Sequence, residues 1–198
     1  NMLTLWVSPL VLAILYYLVP RLSGRPVPAY SLALGGFWAL IGFGAWSGTR
    51  SLAGGPVPVW IPSVGIAATI VLAVHFLAVA VNLRGIFSLV RHSLVARFLA
   101  LAFGCYLLCG VLDLATAFRY TAQWTLFTYV AEAKWMLLVV GVFTPAALGA
   151  FYFAVPRITG KAWASEVLID QHLKVTALGV LLLVGGLLAS GLLQAQIL

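Results

Sequence analysis

Charge is what this sequence has least of. Of its 198 residues only four are acidic and eleven basic, 8% charged in all against 64% hydrophobic. Water-soluble domains carry about a quarter charged residues, so a soluble globule is excluded and an integral membrane protein indicated. Cysteine is scarce as well. Cys105 and Cys109 stand one helical turn apart, where side chains diverge too far for a disulfide, and they read as packing thiols. No phosphate-binding loop, Ser-His-Asp constellation or Cys-x-x-Cys-His motif occurs, which removes the common catalytic frameworks of soluble enzymes.

Long apolar runs are abundant. A bilayer core about 30 Å thick needs roughly 20 apolar residues per helical crossing, and six stretches reach that length. They run over Met2 to Pro20, Tyr30 to Gly48, Pro62 to Leu83, Leu94 to Thr116, Val130 to Val155 and His172 to Gln196. The fold class is therefore all-α: a single domain over residues 1–198 with six transmembrane helices. The first run lacks the basic flank and small-residue cleavage site of a secretory signal, so it counts as a span. Arg21, Arg25, Arg84, Arg91, Arg97, Arg157 and Lys161 fall in alternate connections, against Arg50 and Arg119 on the other side. The positive-inside bias then predicts both termini outside the cytoplasm. The net charge of +7 follows this pattern and does not point to nucleic acid.

One segment is repeated. "YYLVPRLSGR" at Tyr16 to Arg25 returns as "YFAVPRITGK" at Tyr152 to Lys161, with Tyr, Val-Pro-Arg and Gly-basic in the same relative places. Pro and Arg alone are ordinary helix-end residues at a membrane surface, where Pro cannot extend the helix and Arg reaches the headgroups. Tyr, Val and Gly are not explained that way. The copies close the first and fifth spans, which implies a period of four helices.

With "YYLVPRLSGRPVPAYSLALGGFWALIGFGAWSG", the chain resembles subunit I of the haem-copper oxidases, a protein of three four-helix arcs. The resemblance is to its C-family branch of high-affinity cytochrome c oxidases, related to nitric oxide reductases. It rests on the Arg-Pro-Val after the first repeat, Phe37-Trp38-Ala39-Leu40, "YFAVPRITG", Ser165-Glu166, His172 and Gly191-Leu192-Leu193-Gln194. It covers nearly the whole chain and corresponds to the second half of subunit I. In that family copper is held by three histidines, one of them just before an Asn that Asn1 matches. The His-His pair falls on Arg50 and Ser51, neither of which replaces imidazole as a copper ligand. The redox tyrosine falls on Gly44, and the haem-binding His-x-His falls on Lys134 and Met136. What the resemblance implies is thus a vestigial haem pocket with its metal ligands lost, walled by the tryptophans and glycines of Phe37 to Gly48; the other reading of these residues is glycine for close helix packing and tryptophan as an interfacial anchor.

The remaining candidates are few. His75 lies near the middle of the third span, where an imidazole needs a partner, and is grouped with Lys134 and Met136 as a cofactor-binding candidate. With no ligating residue at i±3 or i±4, it is expected to hydrogen-bond to another helix. His92 reads as a solvated loop residue, and His172 matches a family histidine that is not a ligand. Glu166 and Asp170, near Lys174, form a helix-surface arrangement. Asp113 and Lys134 are expected to form a structural ion pair, because the end of span four adjoins the start of span five, whereas Glu132 points elsewhere around the helix. The cytoplasmic half offers almost no carboxylates, which argues against proton pumping.

The expectation is a non-catalytic, structural or anchoring subunit of a bacterial inner-membrane respiratory or electron-transfer complex. It would not be an enzyme on its own and would bind no cofactor alone. By resemblance, its partners are other integral membrane subunits, with a membrane-anchored c-type cytochrome as a haem-bearing neighbour. Two alternatives stay open. One is half of a split oxidase or nitric oxide reductase whose metal site another chain completes, and the other is a quinone- or lipid-binding module.

Overall fold

The computed structural model describes residues 2–196, and among these the ordered elements are helices with no strand. Asn1, matched above to the Asn beside a copper ligand, lies outside the described residues. Six helices are long and apolar enough to cross a membrane. They are Met2–Ser23, Tyr30–Ser47, Trp60–Leu83, Leu94–Ala115, Tyr129–Thr159 and Glu166–Ala195, called the first to sixth spans here. In a bilayer every backbone N–H and C=O must be satisfied within the protein, and continuous helices do this for runs so uniformly apolar. Side-chain caps set the starts of the last three spans. Ser93 accepts from Ala96 N–H, Thr128 from Val130 N–H and Ser165 from Leu168 N–H.

Three boundaries differ from the hydropathy reading by more than two residues. The sixth span begins at Glu166, six residues ahead of His172, because Ser165 caps it and its first turns carry the charges Glu166, Asp170 and Lys174 that depress local hydropathy. The first span runs through Pro20 to Ser23, and the fifth runs through Pro156 to Thr159. Pro withholds a single N–H and does not end either helix. The glycine four residues later does: Gly24 has φ +64° and Gly160 φ +67°, the left-handed conformation that terminates helices. The repeat is therefore also a repeat of geometry. Arg21 lies 5.5 Å from the Tyr17 ring centroid and Arg157 3.5 Å from that of Phe153, each one turn back on its own helix.

The fifth span changes winding in its middle. Leu137–Phe143 is π-helical, and the Thr144 N–H reaches back five residues to Val139 O. Pro145 follows immediately, has no N–H to offer Gly141, and would press its ring on that carbonyl in a regular α-helix. The wider turn relieves that conflict.

The core lies among the first, third, fourth and fifth spans, with Leu15, Leu83, Phe98, Phe103 and Tyr106 among its largest fully buried side chains. The second span packs on the third, and the sixth on the fifth. Both leave broad apolar faces uncovered, including Phe37, Trp38 and Trp46 on the second and Leu178, Leu181 and Leu182 on the sixth. Such faces meet lipid or another membrane protein.

Since nothing lies within 4 Å of a Cβ built on Gly24 or Gly160, alanine there meets only backbone strain. Gly24→Ala and Gly160→Ala should each lower stability by about 1–2 kcal/mol, and asparagine should recover part of the loss. Thermal unfolding of the purified protein in detergent checks this. Neutral alanine variants would contradict it.

Candidate functional site

At the end of the bundle away from the basic connections, the first five spans surround a cavity of about 450 Å³. Its charged lining residues are Arg50, Asp113 and Lys134. Arg50 arrives on the 3₁₀ turn Gly48–Leu52 that prolongs the second span. That turn lies hard against the third span at Gly65, where any Cβ would overlap the Arg50 backbone nitrogen. Asp113 sits in the last turn of the fourth span, and Lys134 in the second turn of the fifth.

The three side chains meet at one atom. Asp113 Oδ1 accepts from Arg50 Nη2 at 2.5 Å and lies 2.8 Å from Lys134 Nζ. Two threonines complete the arrangement. Thr69 gives its hydroxyl proton to Gly65 O and accepts from Arg50 Nη1 at 2.6 Å. Thr116 gives its proton to Leu112 O and accepts from Lys134 Nζ at 2.9 Å. Each hydroxyl is thus turned by its own helix so that only its oxygen faces the cation. The cations are largely withdrawn from solvent, at 14% exposure for Arg50 and 23% for Lys134.

Deeper in the bundle, His75 is fully enclosed and uses both ring nitrogens. Gly36 O, 2.7 Å from Nδ1, can only accept, so Nδ1 carries the proton. Nε2 therefore accepts from Tyr106 Oη, also at 2.7 Å. Tyr106, Cys109 and Asp113 are spaced 3 and 4 apart on the fourth span, which puts them on one helical face toward the cavity they all line.

The other sequence candidates are distributed differently. Met136 is two residues from Lys134, about 200° around the helix, and stands 38% exposed on the outer surface instead of in the cavity. Trp38 and Trp46 also face outward, at 63% and 50% exposure, so the expected aromatic wall is not one. The second span meets the cavity through Leu40, Ser47 and Gly48, since its phase turns the tryptophans away. Gly44 sits against Leu5 of the first span. Glu132 and His92 are exposed. His172 pairs through Nδ1 with Tyr152 Oη at 2.7 Å, and Asp170 bridges Arg97 at 2.6 Å and Lys174 at 2.7 Å. The Arg97 contact makes Asp170 a link between the fourth and sixth spans as well as a surface pair.

The family model described as "Cytochrome C and Quinol oxidase polypeptide I" matches residues 1–197. The chain belongs to this oxidase polypeptide I family. Among similar proteins is the Cbb3-type cytochrome c oxidase subunit CcoN1 of Stutzerimonas stutzeri, 26% identical over 92% of this chain and 40% of the relative. Another is the bacteroid cytochrome c oxidase subunit 1 homolog of Bradyrhizobium diazoefficiens, 27% identical over 92% of this chain and 34% of the relative. Cytochrome c oxidase subunit 1 of Rhodobacter capsulatus is 25% identical, covering 92% and 35% respectively. The chain thus spans between about a third and two fifths of the length of these curated relatives.

Haem and copper, which the family implies, do not fit the side chains gathered here. The cavity presents two cations held by one carboxylate, where a metal ion needs neutral or anionic donors. The buried imidazole of His75 has no free nitrogen, and among the described residues no group of three or more His, Cys, Asp or Glu could hold a metal.

Sequence reasoning named Asp113 and Lys134 but left Arg50 without a partner and did not consider Tyr106. A signal existed for Arg50. Charged residues at the ends of the second and fourth spans fall on the same membrane side, and intramembrane charges pair.

The shared oxygen sets an order of costs. Lys134→Met leaves Asp113 paired with Arg50 and should cost about 1 kcal/mol or less. Asp113→Asn leaves two cations facing one another and should cost on the order of 3 kcal/mol. Adding Lys134→Met to Asp113→Asn should restore part of that. Unfolding of the three variants in detergent measures it, and equal losses for both single variants would refute the shared-carboxylate account.

Proposed function

We propose that this chain is a non-catalytic, structural or anchoring subunit of a bacterial membrane respiratory or electron-transfer complex. The observation that carries this is the Arg50–Asp113–Lys134 cluster. By the resemblance, Arg50 stands where the family has one imidazole of its copper pair, and Lys134 where it has a haem ligand. A fixed cluster with more positive than negative charge repels a metal ion, and no oxygen-reducing step is assigned to these residues. The uncovered apolar faces of the second and sixth spans support an assembled role, because the chain matches only 40% of the length of the CcoN1 relative. Its partners would be other integral membrane proteins, a membrane-anchored c-type cytochrome among them.

Tagged chain extracted from native membranes in mild detergent should bring other membrane proteins with it. After separation it should hold neither iron nor copper in stoichiometric amount and show no haem absorption. Stoichiometric metal on the separated chain would instead favour half of a split oxidase or nitric oxide reductase, and recovery as a stable monomer without companions would end the anchoring reading.

The same reading places the chain in the inner membrane with both termini on the periplasmic side. Its support is the set of basic residues at one end of the bundle, Arg21, Arg25, Arg84, Arg91, Arg97, Arg157 and Lys161. A periplasm-active reporter fused after Leu198 should be active and a cytoplasm-active one silent. The reverse pattern would invert the topology.

A further inference from the structure

The cluster is not electrically balanced. Arg50 and Lys134 contribute two positive charges and Asp113 one negative, and among the described residues no other carboxylate lines the cavity. The remaining three are accounted for elsewhere: Glu132 is exposed on the far side of its helix, Glu166 is exposed, and Asp170 is tied to Arg97 and Lys174. One positive charge therefore remains in a site enclosed by five membrane helices, where an uncompensated charge is costly.

Donors remain as well. Of three ammonium protons Lys134 commits two, to Asp113 and Thr116, and Arg50 commits two of its five guanidinium N–H groups, to Asp113 and Thr69. Beyond the cluster the cavity continues along Leu40, Leu72, Phe76 and Leu138, a wall with nothing to offer a charge.

From this excess charge, the unspent donors and the adjoining apolar wall, we infer that the cavity binds an oxyanion of the phosphate type at the unspent donors of Arg50 and Lys134. The anion is either free or the headgroup of an amphiphile whose chain lies along the apolar wall. Arginine offers a planar fork and lysine a point charge, and both bind phosphate oxygens through short charge-assisted hydrogen bonds. This stands apart from the subunit's place in a complex, since it concerns only side chains within the chain.

The test is thermal unfolding of the full chain in neutral detergent at fixed ionic strength, titrated with inorganic phosphate, octyl phosphate or octanol. An anion that binds the folded state raises the unfolding temperature in proportion to its occupancy. Octyl phosphate should stabilise and octanol should not. A matching shift with inorganic phosphate identifies a free-anion site, and its absence identifies an amphiphile site. Lys134→Met should raise the octyl phosphate midpoint by about tenfold, the worth of one charge-assisted hydrogen bond, while Lys134→Arg keeps it. Asp113→Asn should lower it several-fold by removing the competing carboxylate, which gives an independent test of opposite sign. Stabilisation by octanol equal to that by octyl phosphate, no shift with either phosphate, or a shift unchanged in Lys134→Met would each overturn the assignment.

Discussion

A single carboxylate oxygen, Asp113 Oδ1, joins three of the six membrane helices by receiving Arg50 from the second span's extension and Lys134 from the fifth. Ionised residues each cost roughly 2.5–3.5 kcal/mol on insertion scales at the centre of a membrane helix, and less toward its ends, unless they find a partner. Three of them converge here, so their mutual attraction in a low-dielectric site is what makes the end of the bundle tenable. The rest of the local structure follows from that demand. Gly65 lacks a side chain so that the Arg50 turn can close on the third span, and Thr69 and Thr116 point their oxygens at the cations because their protons are taken by their own helices.

The same logic extends inward at lower charge. His75 cannot remain unpaired at the depth it occupies, and Tyr106 and the Gly36 carbonyl satisfy its two nitrogens from two different helices. The pair thus holds the second, third and fourth spans in register where the surrounding contacts are otherwise apolar and non-directional. Apolar packing tolerates sliding and rotation of helices in lipid, and a buried hydrogen bond between side chain and backbone does not. The ion cluster fixes one end of the bundle, and His75 fixes its middle.

The six spans, their order and the repeat were legible in the sequence because bilayer thickness sets helix length and because a repeat needs no structure to be seen. Where a span stops was less legible. Pro20 and Pro156 look like terminators, yet Gly24 and Gly160 end those helices, since losing one N–H costs less than breaking a helix whose next residues still have partners. The π-helical turn before Pro145 left no periodic trace in a stretch that is apolar on every side. For the site, proximity of adjacent span ends was enough to bring Asp113 to Lys134, because it is a nearest-neighbour property of antiparallel helices. Arg50 reaches Asp113 across a pair of spans that are not consecutive, and only the packing of the second span on the third determines that. The outward turn of Trp38 and Trp46 was hidden for a related reason: a helix apolar on all faces carries no amphipathic signal of which side is buried.

On the reading proposed above, the cluster also resolves what would otherwise be a mechanical problem. A polar cavity between helices that nothing ties together would leave them free to slide and its lining groups without partners. Arg50 and Lys134 reach inward from the second and fifth spans, and Asp113 answers them from the fourth. Charged side chains of these lengths can meet across a space that shorter residues would leave open, which is why a cavity of about 450 Å³ persists beside a cluster that nonetheless ties its walls together. Without Asp113 each cation would bear its desolvation cost uncompensated by any carboxylate lining the cavity. The carboxylate is therefore the residue on which both cations depend.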